Sequence, residues 1–285
     1  MVYDTLLVFA LYAQTPSATN PDATKPAEAA QQVAGQAPPA APPPPAPAPS
    51  NWAGSVNLSL ISITGNATAI TFSGAGLAEY KTPQWIYGLK ASATYGLGKP
   101  PTNDPNAESQ VLALAASLQL RVDHLFTEHF TVYLLGGAET DHVKSVEFRG
   151  IGEAGVGLIW VEVKAADFTR VLFRTDLAFH YANESRFQYY PTPMSLPGAT
   201  LYAPKLGLAF RYSFSKDVNF SEYVEFLPNV AGDSRVVINN QTKLAMLLVA
   251  KLSFTVGFTV NYDSAPAPEK KSTDTALSVG LEYKL

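Results

Sequence analysis

The side chains best placed to do chemistry in this sequence are four histidines and the carboxylates near them. His124 and His129 are five residues apart. That spacing shares a face in neither a strand nor a helix, so the two do not read as a metal pair. Asp176 and His180 are four apart and share one face of a strand, where an aspartate and a histidine could polarise a serine hydroxyl. A hydrogen-bonded interior histidine is the simpler reading. His142, with Asp141 and Glu139, falls in a polar connection, as do Asp104, Asn103 and Asn106. Their oxygens are of the type that hold a surface divalent ion, but loop acids are ordinarily just solvated. Gly150, Gly152, Gly155 and Gly157 precede no helix, so they do not form a phosphate cradle; they suit close packing or sharp sheet curvature. No phosphate-loop, zinc-protease or kinase signature is present. The expectation is no catalytic residue, no metal and no cofactor. With no cysteine there is no disulfide, thiolate ligand or acyl-lipid anchor.

The elements that position these residues have a period of two. Trp85, Tyr87, Leu89, Ala91, Ala93, Tyr95 and Leu97 share one face, with Lys90, Ser92 and Thr94 on the other. Leu252, Phe254, Val256, Phe258, Val260 and Tyr262 likewise oppose Lys251, Ser253, Thr255, Gly257, Thr259 and Asn261. About twelve such segments follow one another, near 52–62, 67–80, 84–97, 109–122, 130–141, 146–161, 170–183, 200–214, 218–227, 234–248, 251–263 and 273–285. Most run about 11 to 15 residues, against about 5 to 6 for an average strand and about 9 to 11 for a tilted membrane-spanning one. Aromatic residues gather near segment ends, Trp52, Trp85, Trp160 and Tyr283 at one end and Tyr95, Phe148, Tyr181 and Tyr202 at the other. Connections alternate between short (Lys81–Pro83, Ser215–Asp217, Val249–Ala250) and long (Gly98–Glu108, Glu184–Ala199, Ser264–Ser272). Prolines beyond residue 50 fall almost wholly in connections or at segment ends.

Hydrophobic residues make up 47% of the 285 and charged ones 15%, below the roughly 25% usual for soluble domains. No apolar run approaches the ~18 residues of a spanning helix. A membrane chain without such helices must pair its backbone in a closed barrel. The expected fold is therefore all-β, a closed antiparallel transmembrane β-barrel of about twelve strands over 51–285, in a bacterial outer membrane. Residues 1–13, with the apolar stretch Leu6–Ala13, read as a secretory signal, although Asp4 precedes the stretch and no Lys or Arg does. Residues 14–50 are rich in Pro and Ala, cannot bury a core and read as a disordered periplasmic linker. The net charge of −4 and the lack of a basic stripe argue against nucleic acid as a partner.

The barrel segment resembles the salt-induced outer-membrane protein family, the YdiY-like group. The stretches that carry the resemblance are Trp52-Ala53-Gly54-Ser55 leading to Thr64-Gly65-Asn66, Arg149 to Gly155, Glu225-Phe226-Leu227-Pro228-Asn229, and Tyr262-Asp263-Ser264 through Pro266, Lys270-Lys271 and Thr273-Asp274. The resemblance implies an outer-membrane barrel and brings no catalytic residue with it. The final strand, with Gly280, Tyr283 and Leu285, is similar to the signal read by barrel-assembly machinery.

Alternation assigns a lumen lining of Lys90, Arg121, Arg149, Glu153, Arg174, Asp176, His180, Lys205, Arg211, Glu225, Lys243, Lys251, Glu282 and Lys284. Bases outnumber acids in that set, which predicts a weak anion preference. The favoured function is a narrow pore for small solutes or ions. The alternatives are a structural barrel with a plugged lumen that stabilises the envelope and, last, a lipid-modifying enzyme. Expected partners are outer-membrane lipid, the assembly machinery through the last strand, and a periplasmic partner of the linker.

Overall fold

A computed structural model describes residues 51–64, 69–98, 110–165, 168–190 and 192–285. The signal reading of 1–13, the linker reading of 14–50 and the loop group Asn103, Asp104 and Asn106 lie outside the described residues. The strands are β1 (Trp52–Thr64), β2 (Ala69–Lys81), β3 (Trp85–Gly98), β4 (Gln110–Leu125), β5 (Phe130–Asp141), β6 (Val146–Ala165), β7 (Phe168–Gln188), β8 (Met194–Ser213), β9 (Val218–Pro228), β10 (Val236–Val249), β11 (Leu252–Asp263) and β12 (Thr273–Lys284). Each pairs antiparallel with its sequence neighbours, and β1 closes on β12 from Ser55↔Lys284 to Thr64↔Thr275. The chain is a twelve-stranded transmembrane β-barrel with no open sheet edge.

Alternation becomes burial directly. In β3 successive residues are exposed and buried almost without interruption. The exposed set is apolar, with Ile70 72%, Phe72 71% and Leu134 64% accessible, while Thr71, Glu79, Arg121 and Asp176 are buried. An apolar exterior around a polar interior is the inverse of a soluble protein and suits a wall solvated by lipid. At the end where the short turns lie, rings follow one another around the wall: Trp52 to Tyr80 at 4.9 Å, Trp85 to His124 at 4.5 Å, His124 to Phe126 at 4.6 Å. Tyr181 and Tyr202, 5.0 Å apart, stand toward the opposite, loop end.

Two expectations need correction. Glu184–Ala199 is not a long loop: β7 runs to Gln188 and β8 starts at Met194, with Arg186 paired to Leu196. The extension also carries Pro197 and Pro204 into β8, so proline does not mark connections there. Both prolines lie in the part of β8 that pairs with β7 alone, since the β8–β9 ladder starts at Leu206, and proline is tolerated where a strand has a free side.

Candidate functional site

The side chains that β4 through β11 turn inward meet across the lumen in three layers. Nearest the turn end, Arg121 Nη2 lies 2.7 Å from Asp123 Oδ1, and Arg174 Nη2 lies 2.8 Å from Asp176 Oδ1. The pairs cross at 3.4 Å, Arg121 to Asp176 and Arg174 to Asp123. Gly157 makes this possible, because a Cβ there would stand 2.2 Å from Arg174 Nη2. In the middle layer Lys205 Nζ donates to Glu153 at 2.8 Å and pairs with Glu225 at 2.7 Å. Glu153 also meets His180 Nδ1 at 3.1 Å and accepts from the Tyr133 hydroxyl, and Glu225 accepts from the Tyr223 hydroxyl at 2.8 Å. The Tyr133 ring lies 3.6 Å beneath the Arg121 guanidinium and joins the two layers through a cation–π contact.

Toward the loop end, Glu184 is held by three arginines: Arg149 at 2.9 Å, Arg186 at 2.9 Å and Arg235 at 3.0 Å. Arg149 also pairs with Glu139, and Arg235 with Asp263 at 2.6 Å. Charges in a poorly hydrated space hold a fixed geometry only when each has partners, and these layers supply them.

The mouth at the loop end is divided. Over one half, Val143 and Tyr190 fold inward from their connections and pack on Ile61, Ala113 and Ala276. Asp141 Oδ1 accepts from the amides of Val143 at 3.0 Å and Lys144 at 3.3 Å, and His142 stacks on Tyr189 with ring centroids 3.4 Å apart. Burial holds the His142 imidazole below its usual range, with Asp141 partly opposing. Lys270 lies over the Tyr190 ring at 4.4 Å, and burial lowers its ammonium below the ordinary lysine range against the pull of Asp274. Beneath the other half lies a vestibule of about 90 Å³, with Arg149, Arg186, Arg235 and Lys270 toward its rim and Glu153, His180, Lys205 and Glu225 toward its floor.

An ion-paired interior in a closed twelve-strand wall is now joined by a sequence match over nearly the whole barrel: residues 56–285 fit the family described as protein of unknown function, DUF481. The chain belongs to the DUF481 family. No curated protein matches the sequence. Among solved structures, the NanC porin is similar at 8% identity over 81% of this chain and 100% of its own, with a TM-score of 0.52. An outer-membrane channel from Pseudomonas putida F1 matches at 9% identity over 84% of this chain and 97% of its own, with a TM-score of 0.47. At such identities the likeness is one of fold.

Of the expected lining of this DUF481 barrel, Lys90, Arg121, Glu153, Arg174, Asp176, His180, Lys205, Glu225 and Glu282 are buried inside. Arg149, Arg211, Lys243 and Lys284 are half-buried, and Lys243 Nζ reaches Glu282 at 2.8 Å. Lys251 is a correction: it sits in the turn between β10 and β11 and is exposed. Asp176 and His180 do not form a dyad, since Asp176 binds two arginines and His180 binds Glu153. Among the described residues that are fully buried, ten carboxylates stand beside five lysines and arginines, and further lysines and arginines of the lining are half-buried. Sequence reading missed Glu79, Asp123, Glu139, Glu184 and Arg235 because they lie at or beyond the segment ends it drew, or beside apolar neighbours. Parity was the available signal, since Asp123 continues the face of Gln119 and Arg121.

Proposed function

We propose that this DUF481 barrel is a narrow channel for small solutes in a bacterial outer membrane, closed at rest by its own ion pairs. The observation that supports it is the vestibule, which leads from the loop end to the Lys205–Glu153–Glu225 layer. A lumen meant only to stiffen the wall has no need of a space that ends on ionic side chains. Twelve strands lie between barrels filled by side chains and those that leave an aqueous channel, so side-chain arrangement decides passage. The weak anion preference expected from the sequence stays a proposal: fully buried carboxylates outnumber fully buried bases, and half-buried lysines and arginines on the same lining offset them.

One observation favours the second reading, a structural barrel with a plugged lumen. The Arg121–Asp176 and Arg174–Asp123 contacts cross the interior, and Tyr133 links them to the layer above. Reconstitution in planar bilayers separates the two. Discrete conductance steps, with swelling of protein-loaded liposomes in small solutes, support the channel. A folded protein that gives neither supports the plug.

Membership of the salt-induced YdiY-like group is the finer reading of the family, and induction of the gene by added salt tests it. We further propose that the last strand, from Gly280 through Tyr283 to Leu285, is what the assembly machinery reads, and that the Pro-rich segment reaches a periplasmic partner.

A further inference from the structure

Most charged groups around the vestibule are paired with one another, and Lys270 at the rim lies over the Tyr190 ring. Lys205 is divided between Glu153 and Glu225, and Glu184 between three arginines. Asn261 differs. It is 5% accessible and lines the vestibule from β11, and neither its Nδ2 nor its Oδ1 meets a hydrogen-bond partner among the described residues. Gln119, 8% accessible, lines the same space from β4, and its Oε1 is likewise without a partner. Asn239, also on the lining, is committed through Nδ2 to Glu225 at 3.2 Å. Two carboxamides on the lining thus leave one donor and two acceptors unmet beside ionic groups that are mostly matched.

Buried polar atoms are costly to leave unmatched, so a site of this kind is selective for what completes them. An anion reaching the floor would have to displace Glu153 or Glu225 from Lys205, or Glu184 from its arginines, whereas Lys270 stands apart at the rim over the Tyr190 ring. A hydroxyl needs no such exchange, because one group both donates and accepts. A volume of about 90 Å³ accommodates on the order of six waters, or one small molecule carrying several hydroxyls. Water can serve the same amides, and a ligand gains over it by bringing joined hydroxyls at a smaller entropic cost. We propose that the vestibule is a binding site for a small uncharged polyol, hydrogen-bonded between Asn261 and Gln119. This rests on the channel reading and names the solute class, but binding does not require conduction.

The probe is erythritol, with erythronate, its carboxylate counterpart, as the charged comparison. Saturation-transfer NMR on the detergent-solubilised full chain should show saturable erythritol binding, with erythronate weaker. Asn261→Leu and Gln119→Leu, each checked for barrel structure by far-UV circular dichroism, should each weaken erythritol by about tenfold, the effect of about 1.4 kcal/mol. The site is refuted by non-saturable erythritol signal, by erythronate binding more tightly, or by unchanged affinity in both variants. The comparison of the two probes on the wild-type protein needs no variant to fold. Binding without bilayer conductance would overturn the channel and leave the site standing.

Discussion

Lys205 joins two carboxylates from different strands in the middle layer of the interior. It is 3% accessible and bonded to Glu153 and Glu225, which also hold His180, Tyr133, Tyr223 and Asn239. Removing one partner of a buried ionic group strands the others, at a typical cost of about 3–5 kcal/mol. Lys205→Met should therefore lower stability by about that amount in a urea titration of the folded barrel. Adding Glu153→Gln and Glu225→Gln should recover most of the loss, since the stranded charges are then gone. Equal stability of the single and triple variants would contradict this. Lys205, Glu153, Glu225 and His180 were legible as interior residues because alternation alone fixes their face. That Lys205 joins two acids from different strands was not, since cross-lumen distances follow from closure and not from any local pattern.

The strands were legible in number and approximate position, and their ends were not. β6, β7 and β8 have 20, 21 and 20 residues, longer than the hydrocarbon layer requires, and polar residues in their outer parts erase the apolar alternation that marks a strand. What holds those parts is visible only in three dimensions: Arg186 pairs with Leu196 and binds Glu184 through Nε at 2.9 Å. Trypsin acting on the folded barrel should accordingly cut at exposed Lys271 well before Arg186, read by mass spectrometry of the fragments. Early cleavage at Arg186 would restore the loop that the sequence suggested. The connection from His142 to Ser145 carries a second expectation. A histidine held below its ordinary range binds fewer protons in place than when released, so its contribution is present above about pH 6.5 and is lost as pH falls below that. The protection factor at Val143 and Ser145, which is exchange corrected for its intrinsic pH dependence, should therefore fall on acidification from pH 7 to 5, and His142→Phe, which keeps a ring against Tyr189, should remove that dependence. A protection factor that is flat with pH in the wild-type protein would contradict it.

At the scale of the whole molecule, the barrel pairs every strand and leaves its polarity inside, where the usual logic of a soluble core is reversed. The outer wall and the aromatic belts suit it to a lipid layer, and in the channel we propose the inner layers decide what passes. In the channel reading the layer formed by Arg121, Asp123, Arg174 and Asp176 is the barrier, because its four charges satisfy one another between β4 and β7 inside the barrel and Gly157 makes room for one of them. Replacing all four by alanine removes the obstruction without leaving any one of these charges unpaired, so the barrel should still fold. The most direct measurement is the conductance of that fourfold variant beside the wild-type protein in the same planar bilayer and salt. A channel closed by its own ion pairs gives small or infrequent steps in the wild type and larger, persistent ones in the variant. A folded fourfold variant whose conductance is no greater than wild type would contradict closure by this layer.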